Sequence, residues 1–235
     1  MLQKFTLLSS ALLLLCATLT PSARAADTAF YVITQKGTLY KQGEVVDKGY
    51  KALEIAAAGP DIYVLTPKGN VYKNGKIIDK GYAGVDIAAS YSGGKSHFYV
   101  LTRKGDVYKD GQRIDKNYRG REIAAAGPDF YVLTPKGNVY KNGKKIDGGY
   151  EGLDIAASYE QGRSHFYVLT PKGNVYKNGQ KIDTGYQGRE ITAAGSDFYV
   201  LTYKGNVYKN GKKIAKGYEG LDIAATVMPT QPKKD

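Results

Sequence analysis

Residues 130–143 read Phe-Tyr-Val-Leu-Thr-Pro-Lys-Gly-Asn-Val-Tyr-Lys-Asn-Gly, and residues 166–179 repeat this stretch without a change. The same segment, with small variations, occurs six times in the 235-residue chain. Its first tyrosine recurs at intervals of 32, 36, 32, 36 and 32 residues, at Tyr31, Tyr63, Tyr99, Tyr131, Tyr167 and Tyr199. Because self-similarity at a regular period is the sequence signature of a repeat architecture, these six copies decide the fold.

Each copy predicts four short strands. In the second copy, residues 62–66 are β-branched or aromatic apart from Leu65, residues 71–73 form the next strand, and residues 76–79 return after Asn74-Gly75, a dipeptide typical of two-residue hairpins. A further strand is predicted in the element Asp/Glu-Ile-Ala/Thr-Ala, which begins at Glu54, Asp86, Glu122, Asp154, Glu190 and Asp222. No stretch shows the 3.6-residue apolar period of a helix.

Six units of four strands predict an all-β fold, a six-bladed β-propeller of short four-stranded blades. The Ile-Ala-Ala strand is expected innermost, where only small side chains fit. The first unit has no such strand of its own, whereas residues 221–226 supply an unmatched one. We therefore expect the C-terminal strand to pair with the N-terminal blade and close the ring, which leaves no exposed ends. The 32/36 alternation also allows an alternative, three 68-residue double units in another threefold β architecture.

The N-terminal residues 1–25 have the pattern of a cleaved signal peptide, with Lys4, an apolar core over residues 5–19 and Ala23-Arg24-Ala25 before the predicted cleavage point. The apolar core is shorter than the ~20 residues of a spanning helix. We expect a periplasmic or secreted protein, with bacterial export favoured and no transmembrane anchor after cleavage. Cys16 suggests a lipoprotein alternative, but Leu15 is large where that signal requires a small residue.

The remaining chain divides into a single six-repeat domain, predicted over residues 26–226, and a flexible polar tail over residues 227–235. The whole chain carries 34 Lys+Arg against 22 Asp+Glu, a formal net charge of +12, with one Cys and two His. So few Cys and His argue against a metal site built from them, and no metal or cofactor is expected. The positive charge favours an anionic surface polymer as partner, while export argues against nucleic acid.

Tyrosine is the unusual feature of the composition, with 21 residues and no Trp. Eighteen of these tyrosines occupy three repeat positions, those of Tyr63, Tyr72 and Tyr82. We interpret the first two sets as packing between blades. The third set lies in a Gly-flanked connection, where a ring could either stack on a sugar or cover the blade edge. The candidate ligand-binding residues from this set are Tyr82, Tyr150 and Tyr218.

Two segments break the repeat, residues 90–97 and residues 158–165, which the other units replace with Ala-Gly-Pro/Ser-Asp. We interpret them as long loops on the face that holds the Lys-Asn-Gly-Lys hairpins, with the third equivalent loop at the chain seam. Binding groups concentrate in such insertions, although each histidine could instead cap a strand end. The candidate ligand-binding residues here are Tyr91, Lys95, Ser96, His97, Tyr159, Arg163, Ser164 and His165.

The repeat resembles those of two propeller families. Residues 97–111, with a His followed by Leu-Thr-x-x-Gly-x-Val-Tyr and a closing Gly, resemble the repeat of the regulator-of-chromosome-condensation propellers, whose period is longer. The repeat length and copy number are more similar to tectonin-type propellers, matched at residues 152–155 and 173–176, although the Trp of that pattern is absent here. Tectonin-type propellers are often lectins or surface-binding proteins, so the resemblance implies binding.

No catalytic constellation stands out, and the near-perfect repeat lacks the broken symmetry with which enzymes assemble one site. We therefore predict a protein that is not an enzyme. The favoured hypothesis is an exported, monomeric, lectin-like ring that binds carbohydrate through several similar sites, with a glycan or anionic surface polymer as its partner. The alternative hypothesis is a periplasmic or extracellular scaffold that binds an envelope protein.

Overall fold

The structure, a computed structural model, describes residues 27–229. The predicted signal peptide over residues 1–25, with Cys16, and residues 230–235 of the predicted tail lie outside the described residues. Six four-stranded antiparallel sheets form the blades of a β-propeller, which confirms the predicted fold. The four strands of blades 2 to 6 follow one another along the chain from the innermost to the outermost position.

The strands are named in chain order. Blade 1 holds β1 (Thr28–Thr34), β2 (Thr38–Lys41) and β3 (Glu44–Lys48); blade 2 holds β4 (Glu54–Ala58), β5 (Asp61–Leu65), β6 (Val71–Lys73) and β7 (Lys76–Asp79). Blade 3 holds β8 (Gly84–Ser92), β9 (Lys95–Thr102), β10 (Val107–Lys109) and β11 (Gln112–Asp115); blade 4 holds β12 (Glu122–Ala126), β13 (Asp129–Leu133), β14 (Val139–Lys141) and β15 (Lys144–Asp147). Blade 5 holds β16 (Asp154–Glu160), β17 (Arg163–Leu169), β18 (Val175–Lys177) and β19 (Gln180–Asp183); blade 6 holds β20 (Gly188–Ala194), β21 (Asp197–Thr202), β22 (Val207–Lys209) and β23 (Lys212–Ala215). The last strand, β24 (Gly220–Val227), is the innermost strand of blade 1.

The ring closes as predicted, because β24 pairs with β1 from Thr28 opposite Val227 to Thr34 opposite Gly220. The six innermost strands contact one another in a closed circle around the axis. Pairing continues one residue beyond the predicted domain boundary at 226, and the Met228 N–H donates to the carbonyl of Asp27 at 2.8 Å. The chain ends therefore meet in one blade, the seam of the ring.

Each blade uses the predicted Asn-Gly turn between its third and fourth strands or a close variant of it. In blade 2, Asn74 and Gly75 have φ angles of 48° and 80°, the left-handed conformation that a tight two-residue hairpin requires. The core lies between blades, where side chains such as Val64, Leu65 and Val71 are fully buried. Burial of these repeated aliphatic side chains is the main stabilising contribution available to a domain without disulfides in its described residues.

Two of the three tyrosine sets pack between blades as predicted. The Tyr63 set is buried, and the Tyr63 ring contacts Phe98 of the next blade at a centroid distance of 5.8 Å. The Tyr72 set is half-buried, and Tyr72 meets Tyr50 edge to face at 5.9 Å. Within residues 27–229 no helix is long and apolar enough to cross a membrane.

Candidate ligand-binding face

One face of the ring carries the hairpins that join the first and second strands of blades 2 to 6, the chain ends of blade 1, and the hairpins that join the third and fourth strands of all six blades. We call it the hairpin face. The two kinds of hairpin touch in blade 3, where Nδ1 of His97 lies 2.6 Å from Oδ2 of Asp110. This arrangement confirms that the two inserted segments share a face with the Lys-Asn-Gly-Lys hairpins.

The inserted segments are not loops, which corrects the interpretation from sequence. Residues 90–97 extend β8 and β9, which stay paired from Ser90 opposite His97 to Ser92 opposite Lys95. Residues 158–165 extend β16 and β17 in the same way. The reason is turn chemistry, because Gly93-Gly94 and Gln161-Gly162 adopt the positive φ angles that close a two-residue hairpin.

These extended hairpins place two tyrosines at the mouth of the central channel. The ring of Tyr91 packs on Gly59 of the preceding blade, and the ring of Tyr159 packs on Gly127. A Cβ at Gly59 would lie 2.5 Å from Cδ2 of Tyr91, so only glycine leaves room for the ring. Tyr91 and Tyr159 are 37% and 43% exposed, so each ring keeps an open surface toward solvent.

The third equivalent position lies at the seam, as the repeat predicts. Val227 stands where Tyr91 and Tyr159 stand in their blades, with Cγ2 3.4 Å from a Cβ built on Gly195. Thr28 stands where the other two blades have Ser96 and Ser164. The hairpin face is therefore built on threefold symmetry, but only two of its three positions carry an aromatic ring.

Ser96 and Ser164 lie in polar clusters between blades. Ser96 accepts the Tyr63 hydroxyl at 2.8 Å and donates to Asp61, while Lys73 bonds Asp61 at 2.8 Å. Ser164 forms an equivalent cluster with Tyr131, Asp129 and Lys141. Thr28 forms the third cluster, with Tyr199, Asp197 and Lys209 of blade 6. These hydroxyls link blade 2 to blade 3, blade 4 to blade 5, and blade 6 to blade 1. We call each of these clusters a Ser/Thr staple.

The two histidines bond the neighbouring outer hairpin of their own blades. His97 contacts Asp110, and Nδ1 of His165 lies 2.8 Å from the side-chain amide of Asn178. Burial, with a smaller effect from the positive charge of Lys177, lowers the pKa of His165. By contrast, Lys95 and Arg163 are exposed at the hairpin tips and form no ion pair within residues 27–229.

The remaining predicted residues, Tyr82, Tyr150 and Tyr218, lie at the outer rim and are not brought together with Tyr91 and Tyr159. Tyr82 donates its hydroxyl to Asp79 at 2.6 Å and meets Tyr108 of the next blade edge to face at 5.3 Å. Tyr150 makes the equivalent contacts and is buried. This third tyrosine set therefore covers the blade junctions.

At the opposite mouth of the channel lies a ring of six carboxyl groups that the sequence analysis did not identify as a unit. The channel has a cavity volume of about 320 Å³ and is lined by the innermost strands. Its acid ring alternates glutamate and aspartate and consists of Glu54, Asp86, Glu122, Asp154, Glu190 and Asp222. The six-fold recurrence of Asp/Glu before Ile was visible in the sequence and is the signal that could have found it.

The aspartates of the acid ring join neighbouring blades. Asp86 accepts the N–H of Ile87 in its own blade and the N–H of Ile123 in blade 4, both at 2.6 Å. Asp154 joins blade 5 to blade 6 in the same way, and Asp222 joins blade 1 to blade 2. We call these contacts Asp staples, and they occur at the three blade junctions that have no Ser/Thr staple.

Burial raises the pKa of all six carboxyl groups, and repulsion between carboxylates adds to the effect in all of them except Asp222. The pKa of Glu122 rises only to about 7, because the Arg121 side chain bonds it at 3.1 Å. That of Glu190 rises to about 11. The acid ring therefore retains protons at neutral pH. Within residues 27–229, no group of His, Cys, Asp and Glu is arranged to hold a metal ion.

Comparison with known proteins supports the fold. No protein family and no curated protein sequence matches this chain. Among solved structures, BBS1N in complex with ARL6DN is 14% identical, with a TM-score of 0.53, and the match covers 82% of this chain and 73% of that chain. Yeast RCC1 (Prp20), solved bound to Kap60, is 12% identical, with a TM-score of 0.51 and coverage of 80% and 73%.

A second structure of Prp20p, from Saccharomyces cerevisiae, matches with 12% identity, a TM-score of 0.50 and coverage of 77% of this chain and 69% of that chain. The resemblance to the regulator-of-chromosome-condensation propellers is therefore confirmed at the level of the fold. At 12–14% identity, these likenesses show the fold alone.

Proposed function

We propose that this protein is an exported, non-enzymatic binding propeller that binds carbohydrate through the hairpin face. The observation that carries the proposal is the pair of equivalent tyrosine rings, Tyr91 and Tyr159, each resting on a glycine and open to solvent. An aromatic ring fixed in this way offers a flat apolar surface at little conformational cost, which suits the C–H face of a sugar.

Polar groups beside each ring can bind the hydroxyls or acidic groups of a glycan. Lys95 pairs with Ser92 at the hairpin tip, one residue pair beyond Tyr91, and Arg163, which pairs with Glu160, is its equivalent beyond Tyr159. Both cations are exposed, so they can contact a ligand without breaking an existing ion pair among the described residues. The Ser96 and Ser164 hydroxyls belong to the Ser/Thr staples, and we assign them a supporting role below the rings.

Two equivalent sites on one rigid ring favour a repetitive ligand. When one site is occupied, the second meets a neighbouring sugar unit at high effective concentration, so weak single-site affinity becomes avidity. The chain's net charge of +12 also favours approach of an anionic surface polymer. Export, which we infer from residues 1–25, would place the hairpin face in the periplasm or outside the cell. N-terminal sequencing of the mature protein tests export, and the expected first residue is Ala26.

A glycan array tests the binding proposal. The mature protein is compared with the double variant Tyr91→Ala/Tyr159→Ala and with Tyr203→Ala, which removes a 66% exposed tyrosine from a turn on the other face. We expect wild type and Tyr203→Ala to bind the same glycans and the double variant to lose them. The proposal would be overturned by an array on which wild type binds no sugar, or by a double variant that binds as wild type does.

A second candidate function is that of a protein-interaction scaffold, favoured by one break in the repeat. The outer strands of blades 1 and 2 each expose two adjacent aliphatic side chains, 44–55% accessible, Val45, Val46, Ile77 and Ile78, whereas blades 3 to 6 expose only one, an isoleucine at the position of Val46 and Ile78. Blades 3 to 6 carry Arg or Lys at the position of Val45 and Ile77. The solved propellers similar in fold include proteins crystallised with the protein partners ARL6DN and Kap60.

The scaffold candidate predicts an envelope protein that co-purifies with the ring at one copy per ring. Substituting Val45→Lys and Ile77→Lys, which restores the cations of the other blades, is expected to abolish that co-purification without affecting glycan binding. Recovery of the ring alone from native extracts would argue against this candidate.

A further inference from the structure

Five of the six blades place an aspartate at the last or next-to-last residue of the outermost strand, before the following connection. In blade 2, Oδ2 of Asp79 accepts the Tyr82 hydroxyl at 2.6 Å, and Oδ1 accepts the Lys80 N–H at 2.8 Å. The same two hydrogen bonds recur in the other four blades, at Asp47, Asp115, Asp147 and Asp183.

Each of these carboxylates also lies against the outer hairpin of the next blade. A Cβ built on Gly111 would lie 3.0 Å from Oδ2 of Asp79 and 3.9 Å from the Tyr82 hydroxyl. The carboxylate therefore occupies a position between two blades, bonded by one hydroxyl and one backbone amide. A charged acceptor with two donors makes stronger hydrogen bonds than a neutral one, which explains why the arrangement recurs.

Blade 6 has Ala215 at this position. Its backbone follows the other blades, because Ala215 pairs with Val207 as Asp79 pairs with Val71, and the Tyr218 N–H donates to Gly205 as the Tyr82 N–H donates to Gly69. The Tyr218 hydroxyl also keeps its place, 3.8 Å from a Cβ built on Gly43 of blade 1. Among the residues from 27 to 229, neither this hydroxyl nor the Lys216 N–H has a hydrogen-bond partner.

The loss of the aspartate side chain coincides with a cleft at the seam, between blade 6 and blade 1. It is lined from one side by Ala215, Lys216 and Tyr218, and from the other by Thr38, Tyr40 and Lys36. Lys36 bonds Glu219 at 3.1 Å on the exposed edge, and Lys216 is exposed. The cleft thus combines two donors without a partner among residues 27–229, hydroxyl groups and the Lys36–Glu219 ion pair, and it lacks the aspartate present at the other five junctions.

We propose that this seam cleft binds the carboxylate of a small acid, with sugar acids as the fitting class, through the Tyr218 hydroxyl and the Lys216 N–H. The ligand carboxylate takes the two hydrogen bonds that an aspartate takes in the other five blades. Thr38 and Tyr40 line the space beyond it, where the hydroxyls of a sugar ring lie. The proposal is independent of the carbohydrate sites, because the seam cleft lies at the rim and is not lined by Tyr91, Tyr159, Lys95 or Arg163.

The ionisation of the tyrosines agrees with this assignment. Burial raises the pKa of Tyr82, and the hydrogen bond and negative charge of Asp79 raise it further. Burial also raises the pKa of Tyr218, but there the other contribution comes only from Tyr40. A carboxylate that binds beside Tyr218 should therefore raise the pKa of its hydroxyl, as aspartate does in the other blades.

An NMR titration of the mature protein tests the proposal, with the Lys216 amide as reporter. Sodium acetate and sodium glucuronate are added separately, and sodium chloride at equal ionic strength is the control. We expect both acids to shift the Lys216 amide to saturation and chloride to leave it in place. Glucuronate binding at least as tightly as acetate supports the sugar-acid class, whereas acetate binding without glucuronate overturns it.

Two variants make the test specific. Ala215→Asp supplies the carboxylate from the chain and is expected to abolish the saturable shift. Asp147→Ala recreates the seam arrangement in blade 4 and is expected to add a second saturable response at the Gly148 amide. The proposal is overturned if acetate moves the Lys216 amide no more than chloride does, or if Ala215→Asp titrates as wild type.

Discussion

Oδ2 of Asp86 accepts the backbone N–H of Ile123 at 2.6 Å, across the junction between blades 3 and 4. Three junctions are joined by such Asp staples at one mouth of the channel, and the other three by Ser/Thr staples on the hairpin face. Blades 1, 3 and 5 supply the key side chain for both kinds, which corresponds to the 32/36 alternation of the repeat. The ring is therefore sixfold in its strands and threefold in its inter-blade hydrogen bonds.

The Asp staple should contribute measurably to stability. Asp86→Ala leaves two buried N–H groups, of Ile87 and Ile123, without their acceptor, and relief of repulsion in the acid ring offsets only part of the loss. We expect the free energy of unfolding in urea to fall by about 2 kcal/mol. Glu219→Ala, which removes an exposed ion pair with Lys36, is the control and should change it by less than about 0.5 kcal/mol. Equal effects of the two variants would contradict the account.

The two kinds of junction also differ in what a tyrosine hydroxyl contributes. Tyr63 donates its hydroxyl to Ser96, whereas the buried hydroxyl of Tyr99 has no partner among the described residues. Tyr63→Phe should therefore cost about 1 kcal/mol of unfolding free energy, and Tyr99→Phe should be neutral or stabilising. Thermal unfolding of the two variants, which change the same atom in equivalent repeats, gives the comparison. A larger loss in Tyr99→Phe would argue against the Ser/Thr staple.

Stability should decrease as the pH rises from 5 to 8. Burial raises the pKa of Glu122 to about 7, so this group binds its proton more tightly in the folded ring than in the unfolded chain. Its contribution is complete below the ordinary carboxyl pKa and is lost as the pH rises through about 7. The decrease should be on the order of 1–3 kcal/mol. Glu122→Gln should flatten this part of the melting-temperature profile, and an unchanged profile in that variant would contradict the assignment.

At acid pH the ring should also lose stability, through protonation of the aspartates in the Ser/Thr staples. Burial alone would raise the pKa of Asp61, but the hydrogen bonds from Lys73 and Ser96 outweigh it and lower the pKa. The stability from this group is present above the ordinary carboxyl pKa and is lost as the pH falls through the lowered value. We expect the melting temperature to fall below about pH 4, and less steeply in Asp61→Asn. A melting temperature that keeps rising toward pH 2 would contradict this prediction.

Gly59 and Gly195 provide a matched test of the packing of the Tyr91 ring on Gly59. Both have positive φ angles, 55° and 57°, so alanine imposes a similar backbone strain of about 1 kcal/mol at each. A Cβ at Gly59 also collides with the Tyr91 ring at 2.5 Å, whereas at Gly195 it makes an ordinary contact with Val227 at 3.4 Å. Gly59→Ala should therefore be the less stable variant and should weaken glycan binding. Equal stability and equal glycan binding of the two variants would contradict the proposed packing of Tyr91 on Gly59.

Much of the fold could be predicted from sequence because the repeat encodes it locally. The Asn74-Gly75 turn and the β-branched strands are readable within one unit, and the unmatched strand at residues 221–226 is found by comparing the six units. The staples are not, because Asp86 and Ile123 are 37 residues apart and meet only when two blades pack. The same limit applies to Ser96, an apparent binding hydroxyl that bonds Tyr63 of the preceding blade. The sequence predicts a long loop over residues 90–97, but Gly93-Gly94 form a tight hairpin, since the flanking residues continue the strand pairing.

The central claim, binding through two equivalent tyrosine positions, is tested most directly by calorimetric titration with a short glycan from the array that carries no acid group, so that the seam cleft does not contribute. The account predicts two sites per wild-type chain and one site, with unchanged affinity, in Tyr91→Ala and in Tyr159→Ala. It predicts no binding in the double variant and wild-type binding in Tyr203→Ala. A double variant that keeps two sites would contradict the claim.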